Sequence, residues 1–428
     1  MPKLNRKLWG WALYYWANHS YQTAIITVFF PIFFKSYWFS GAPATVGSCA
    51  TTSLSTYWLG VADSLANLVV VLTAPVLGAI ADRGSKKKRF LISSAFLGSI
   101  MAIALYFVAK DDWQLAVAFY VMGSIGYYWG NIFADSMVVT VSDPGKLDMT
   151  SAKGYFAGYL GGGLFLVLGV VMSLKPELFG IADKATAVRL ICVLTGIWWL
   201  VFSLPLLFWV PEPGEKKEPI GLGTAVRTGF GQLSETLRHI RLYRPVYLFL
   251  IAYWIYIDGV GTIIQMAVDY GKSIGFDTPT LISAVLMVQF IGVPAALVFG
   301  RIGERIGPRK GILIGLAVYV LVCIFGYFMQ HALEFFVLAA LVGLVQGGVQ
   351  LLSRSYYARL VPATRAGEFF GFYNMLGDSA AVIGPFLMGF VSRATCNPRL
   401  SILSVILLFV LGAILLMRVP ADRNVAHG

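Results

Sequence analysis

Gly78-Ala-Ile-Ala-Asp82-Arg83-Gly84-Ser85-Lys86-Lys87-Lys88 closes one long apolar run of the chain, and Gly300-Arg-Ile-Gly-Glu304-Arg305-Ile-Gly307-Pro308-Arg309-Lys310 closes another. Gly78 and Gly300 are 222 residues apart, as are Asp82 and Glu304, in a chain of 428. A motif repeated at about half the chain length reads as two related halves.

Composition says what kind of halves they are. Hydrophobic residues make up 58% and charged ones 13%, far from the balance of a soluble globular protein. Apolar stretches recur along the whole length, each long enough to cross a bilayer core of roughly 30 Å. The first run, from Leu8, extends too far for a cleavable signal peptide and has no small-residue cleavage site. The basic excess of +12 sits in short loops between the runs, so it reads as membrane topology and not as affinity for nucleic acid.

The pattern predicts an all-α membrane protein of twelve spans, at approximately 8–34, 57–81, 90–109, 113–141, 151–174, 188–210, 246–270, 279–302, 311–329, 333–357, 367–392 and 400–418. With the N-terminus in the cytoplasm, 25 of the 33 Lys and Arg residues fall on the inner side, which puts both termini inside. The expected domains are a six-helix bundle over 1–210, a linker over 211–245 and a second six-helix bundle over 246–428. The linker opens with Pro211-Glu-Pro-Gly-Glu-Lys-Lys-Glu-Pro219, which cannot span a membrane. Beyond it, Leu222, Val226, Phe230, Leu233, Leu237 and Ile240 make one helical stripe, with Arg227, Arg238, Arg241 and Arg244 off it. That is the signature of an amphipathic helix on the membrane surface; the alternative is a helix packed across the ends of the bundle. Cys49 and Cys396 lie in outer loops, where they read as two unpaired thiols, with a disulfide as the other option.

Polar groups inside apolar spans are costly and face a cavity or a partner. Tyr15, Asn18, His19 and Gln22 share one face of span 1, about halfway across. Lining of a solute cavity and packing between helices both account for them. Asp258 sits near the centre of span 7, on a face with Trp254, Gly261 and Gln265. It can hold a substrate ammonium, carry a coupling proton, or tie helices together through Asn18 or a tyrosine. Tyr373, Asn374 and Asp378 are mid-membrane polar groups of span 11. In span 4, Tyr127, Asn131 and Asp135 share a face, Asp135 nearest the cytoplasm as a gate or a structural group. Gln346, Gln350 and Arg354 step by four along span 10 toward its inner end, where Arg354 can gate or snorkel to headgroups.

The repeated loops read as gates. Asp82 falls at the C-terminal end of its helix, where a negative charge is unfavourable, so it needs Arg83, the lysine run or another helix N-terminus. Gly78 and Gly300 let a helix come close. Contacts through Asp82, Arg83, Glu304 and Arg305 exist only while the cytoplasmic ends touch, so they bias one state of an alternating-access cycle. Catalytic and metal chemistry lack support: the four histidines include no HExxH, and there is no GxSxG elbow or Walker loop.

The GxxxD/E-R loop followed by glycine and basic residues resembles the hallmark loop of major facilitator transporters. Further stretches resemble one branch of that superfamily, the vacuole amino-acid effluxer-like (autophagy-related effluxer) family. They are Trp11-Ala-Leu-Tyr14-Tyr15-Trp16-Ala17-Asn18, Gly158-Tyr159-Leu160-Gly161-Gly162-Gly163, Tyr256-Ile-Asp258-Gly259, and Gly343-Leu-Val-Gln346-Gly-Gly-Val-Gln350-Leu-Leu-Ser353-Arg354-Ser355 with Glu368-Phe369-Phe370-Gly371-Phe372-Tyr373. The resemblance implies the major facilitator fold, two pseudo-symmetric six-helix bundles, and an amino-acid substrate. The chain departs from the family at Tyr15, usually acidic, and at Asp378, usually lysine; His19 and Asp258 are read as substitutes for the titrating role.

The expected function is secondary active transport of a small polar solute, an amino acid or short peptide, with export favoured. No cofactor is expected, a proton or ion gradient supplying the energy. The expected partners are the solute and the lipid bilayer, with a monomer as the default and the bacterial plasma membrane as the location. The rivals are an exporter of drugs or amphipathic metabolites and a sensor that keeps the fold without transporting.

Overall fold

The first expected span is helical throughout but wound in two ways in the computed structural model of the protein. An α-helix, α1 (Arg6–Ser20), passes into a π-wound run over Tyr21–Phe29, then one α turn, α2 (Phe30–Phe33), and a second π-wound stretch over Phe34–Trp38. Two sequence features loosen the winding. Thr23 turns its hydroxyl back onto the carbonyls of His19 (3.0 Å) and Gly162 (3.2 Å). Pro31 has no N–H to donate to the preceding turn. The structure describes residues 6–40, 45–46, 49–84, 87–142, 147–212, 222–361, 366–378 and 380–419.

After a two-residue antiparallel pair, β1 (Thr45–Val46) and β2 (Cys49–Ala50), the remaining described elements are helical. They are α3 (Thr51–Gly84), α4 (Lys87–Ala104), α5 (Trp113–Ser136), α6 (Val138–Val141), α7 (Leu147–Leu174), α8 (Lys184–Trp209) and α9 (Leu222–Leu242). There follow α10 (Arg244–Ser273), α11 (Thr278–Ile306), α12 (Pro308–Phe328) and α13 (Ala332–Leu360). The chain closes with α14 (Ala366–Asp378), α15 (Ile383–Thr395), α16 (Pro398–Ser404) and α17 (Ile406–Met417). Among the described residues, 8 helical stretches are long and apolar enough to cross a membrane, with α16 and α17 counting as one. The other expected spans, the first, fourth, eighth and eleventh, are helical as well. Large apolar side chains stay exposed around the helices, Phe208 at 75% and Phe290 at 72%, as a lipid-facing surface requires.

Span 11 departs from expectation. It is two helices, α14 and α15, with a break in which Ala381 takes a left-handed φ of 71°. Pro385 marks the restart: its missing N–H is harmless in the first turn of a helix.

Contacts divide the chain into two units, residues 1–42 with 65–233 and residues 43–64 with 234–428. The second boundary falls inside α9, within the expected linker. The assignment of 43–64 to the second unit was not expected, and its cause is close packing between α3 and α15. A Cβ on Gly60 would strike the Pro385 carbonyl, and one on Gly389 would lie 3.0 Å from the Tyr57 backbone. Arg393 sits 5.8 Å over the Tyr57 ring. In the first unit α1 packs on α7 and α8. Glycines of α7 form the notches: Gly154 receives the Trp11 ring, Gly158 the His19 ring and Gly161 the Trp16 backbone and ring.

The outward cysteines differ from expectation too. Cys396 is disulfide-bonded, while Cys192 and Cys323 are free thiols in the core. The reading of two loose outer thiols is therefore corrected; an oxidising exterior suits the bond.

Candidate functional site

In the first unit, the polar faces of spans 1 and 4 meet residue by residue. The two helices run antiparallel, so steps of three and four on one match steps of four on the other. Tyr15 donates its hydroxyl to the Asp135 carboxylate, Asn18 donates its amide to Asn131, and Tyr127 donates to Gln22 at 2.9 Å. Trp11 extends the ladder by donating its indole N–H to the Ala134 carbonyl at 2.8 Å. Gly130 leaves room for the Tyr14 hydroxyl, which a Cβ there would strike. Interhelical hydrogen bonds of this kind contribute about 0.6–2 kcal/mol each in membranes. The ladder therefore fixes α1 and π-wound Tyr21–Phe29 against α5. It leaves one acceptor over: the Asn18 carbonyl oxygen is buried without a hydrogen-bond partner.

His19 stands outside the ladder. Its ring fills the notch at Gly158, 6.0 Å from the Tyr159 ring and 6.1 Å from that of Tyr15, half-buried and without a hydrogen bond.

In the second unit, Asp258 caps a helix. Its Oδ2 accepts from the amides of Val382 (3.1 Å) and Ile383 (2.9 Å), and its Oδ1 from Gly384 (2.7 Å). These are the orphan donors at the N-terminus of α15, exposed by the break in span 11. Both carboxylate oxygens are thus taken by amides at the positive end of a helix. Thr262 braces it by donating to the Asp258 carbonyl at 2.7 Å, and Gly384 has no room for a Cβ beside Thr262. The expected interhelical tie exists, then, but it runs to the backbone of span 11 and not to Asn18 or a tyrosine.

Tyr373 lies in a column of rings, 4.3 Å from Tyr253 and 4.8 Å from Tyr357, with Phe249 stacked on both. Gly377 admits the Tyr253 hydroxyl next to this column. Asn374 and Trp254 are half-buried, and Gln265 is buried.

On α13 the lipid-facing residues are Leu333, Val337, Leu344 and Leu351. At roughly 100° per residue, Gln346, Gln350 and Arg354 lie about 155°, 115° and 75° round the helix from that stripe, with Arg354 the nearest to it. All three are half-buried, and no hydrogen bond or ion pair of their side chains is seen among the described residues. Arg354 is close enough to act electrostatically on Tyr373.

The gate residues are described only in part. Gly78, Asp82 and Arg83 fall within α3, and Gly300 and Glu304 within α11, but their side chains lie outside the described residues, as does that of Asp378. Arg305 is exposed. Gly307, φ 86°, starts α12 with Pro308 in its first turn, so the second loop ends in a defined helix start. Sequence reasoning missed Asp269, fully buried near the C-terminal end of α10. It accepts from Thr56 at 2.8 Å, and Thr56 also bonds Ser273 at 3.1 Å. The signal was available, since Asp269 follows Gln265 by one turn. No cluster able to hold a metal occurs among the described residues.

A helical chain with eight stretches able to cross a membrane among its described residues, and polar groups within its apolar helices, defines a membrane-embedded helix bundle. Solved structures agree on the fold. The nucleoside transporter NupG superposes with a TM-score of 0.68 at 13% identity, covering 97% of this chain and 100% of its own. The D-xylose-proton symporter does so with 0.68 at 14%, covering 96% and 97%. The chain belongs to the family described as vacuole effluxer Atg22 like, whose model matches residues 4–427. It is 34% identical to the MFS-type transporter YxiO of Bacillus subtilis (strain 168), over 99% of this chain and 97% of that one. It is 22% identical to autophagy-related protein 22 of Coccidioides immitis, over 99% and 88%. The chain is thus a multi-pass membrane transporter.

Proposed function

We propose that this transporter carries a small polar solute, an amino acid or short peptide, by alternating access, with export favoured and a proton or ion gradient as the energy source. It works as a monomer in the bacterial plasma membrane with both termini cytoplasmic. The observation that carries the reading is the half-buried polar face of Gln346, Gln350 and Arg354 on α13, whose side chains make no hydrogen bond among the described residues. A guanidinium and two amides match a carboxylate with adjacent amide or ammonium groups. His19 is assigned the titrating role, since its ring is unbonded, whereas the Asp258 carboxylate is occupied by the α15 amides. The family's description as a vacuole effluxer supports export.

Amphipathic drugs fit less well, because Tyr253, Tyr357 and Tyr373, the rings they would need, are buried against one another. The test is thermal stabilisation of the purified chain by a panel of amino acids, short peptides and amphipathic cations, since a binder raises apparent stability by mass action. Stabilisation by an amino acid or peptide, lost in Arg354→Gln, supports the proposal. Stabilisation by amphipathic cations alone moves the assignment to a multidrug exporter.

A further inference from the structure

We infer that α9 is a membrane-surface helix that binds anionic phospholipid headgroups. Three observations converge. First, the helix has no extensive packing against another described helix. Its polypeptide position nevertheless holds it to the membrane surface, because Leu242 is separated by one residue from Arg244, where membrane-crossing α10 begins.

Second, its apolar residues form a stripe that runs out from the core. Ile240 is fully buried near α10, Leu237 and Leu233 are half-buried, and Phe230 and Val226 are 42% and 40% exposed. At roughly 100° per residue, these positions fall within about 80° of one another. Such a stripe costs free energy in water and none in the interface between headgroups and acyl chains.

Third, the charges are asymmetric. Arg227, Arg238 and Arg241 are exposed and lie along one edge of the stripe, about 100° from its centre. From there their stems can follow the apolar surface while the guanidinium groups reach phosphate oxygens. Glu235, the one acid of the helix, points about 170° away from the stripe. A zwitterionic surface would satisfy the stripe but not the arginine edge; each basic residue near an anionic leaflet adds attraction. A second copy of the chain or an acidic protein would also have to match a stripe flanked by charge on one edge only.

The full chain carrying a nitroxide at Phe230→Cys is reconstituted in nanodiscs of phosphatidylcholine, with or without phosphatidylglycerol. Its collision rate with a water-soluble relaxation agent is then read by electron paramagnetic resonance. The expected result is a several-fold lower rate in the anionic discs, reversed by salt. A label at Glu235→Cys is expected to stay accessible in both. Combining Arg227→Gln, Arg238→Gln and Arg241→Gln should abolish the difference between the discs. Salt reversal in the unsubstituted background gives the same answer should that variant fail to fold. Equal protection of position 230 in both lipids, or equal exposure, overturns the inference.

Discussion

The Asp258 carboxylate and the Gly384 amide, on spans 7 and 11, are 2.7 Å apart, and this bond with those to Val382 and Ile383 starts a helix in mid-membrane. Asp258→Asn puts an amide donor against other amide donors. It is expected to destabilise the purified protein by about 1–3 kcal/mol, read as a lower thermal midpoint. If the variant that folds keeps the pH dependence of flux, the carboxylate is a cap. Unchanged stability with pH dependence lost would show that it titrates instead.

Tyr15 and Asp135 are expected to act as one unit. In a double-mutant cycle of Tyr15→Phe and Asp135→Asn, thermal unfolding should give a coupling energy of about 0.5–2 kcal/mol. Additive effects would show that the rung contributes nothing.

The notch at Gly158 should depend on what fills it. Gly158→Val places atoms where the His19 ring lies and should lower stability or yield. Adding His19→Ala should restore much of that loss. No rescue would place the cause elsewhere in α7.

Asp183 accepts from the Thr186 amide at 2.9 Å and from its hydroxyl at 2.7 Å, as the cap of α8. Those bonds hold its carboxyl below the usual carboxylate range. A lowered folded pKa stabilises fully above the pKa of a free aspartate, and the gain disappears as pH falls through the lower folded value. Thermal midpoints of the unsubstituted chain and Asp183→Ala should therefore differ at neutral pH and converge in acid. A gap that persists in acid would contradict this sign.

Much of the architecture was legible because bilayer physics restricts it. Long apolar runs led to the membrane-spanning helical fold now seen. The faces of spans 1 and 4 were legible as polar stripes, yet no single-helix pattern says that Tyr15 meets Asp135 or Asn18 meets Asn131. Pairing belongs to tertiary packing. Asp258 was found for the right reason, its depth, but its partners are backbone amides, which no side-chain pattern reports. Pro385 was the sole hint of the break that exposes them. Asp269 with Thr56 was missed because their helices are remote in sequence.

The most direct test of the account is counterflow of a labelled amino acid or peptide, chosen by the stabilisation panel, in proteoliposomes holding the full chain. The account predicts saturable counterflow, with KM raised at least about tenfold in Arg354→Gln when one charged hydrogen bond to the solute is lost. Solute that binds the protein without any movement of label across the membrane would contradict it.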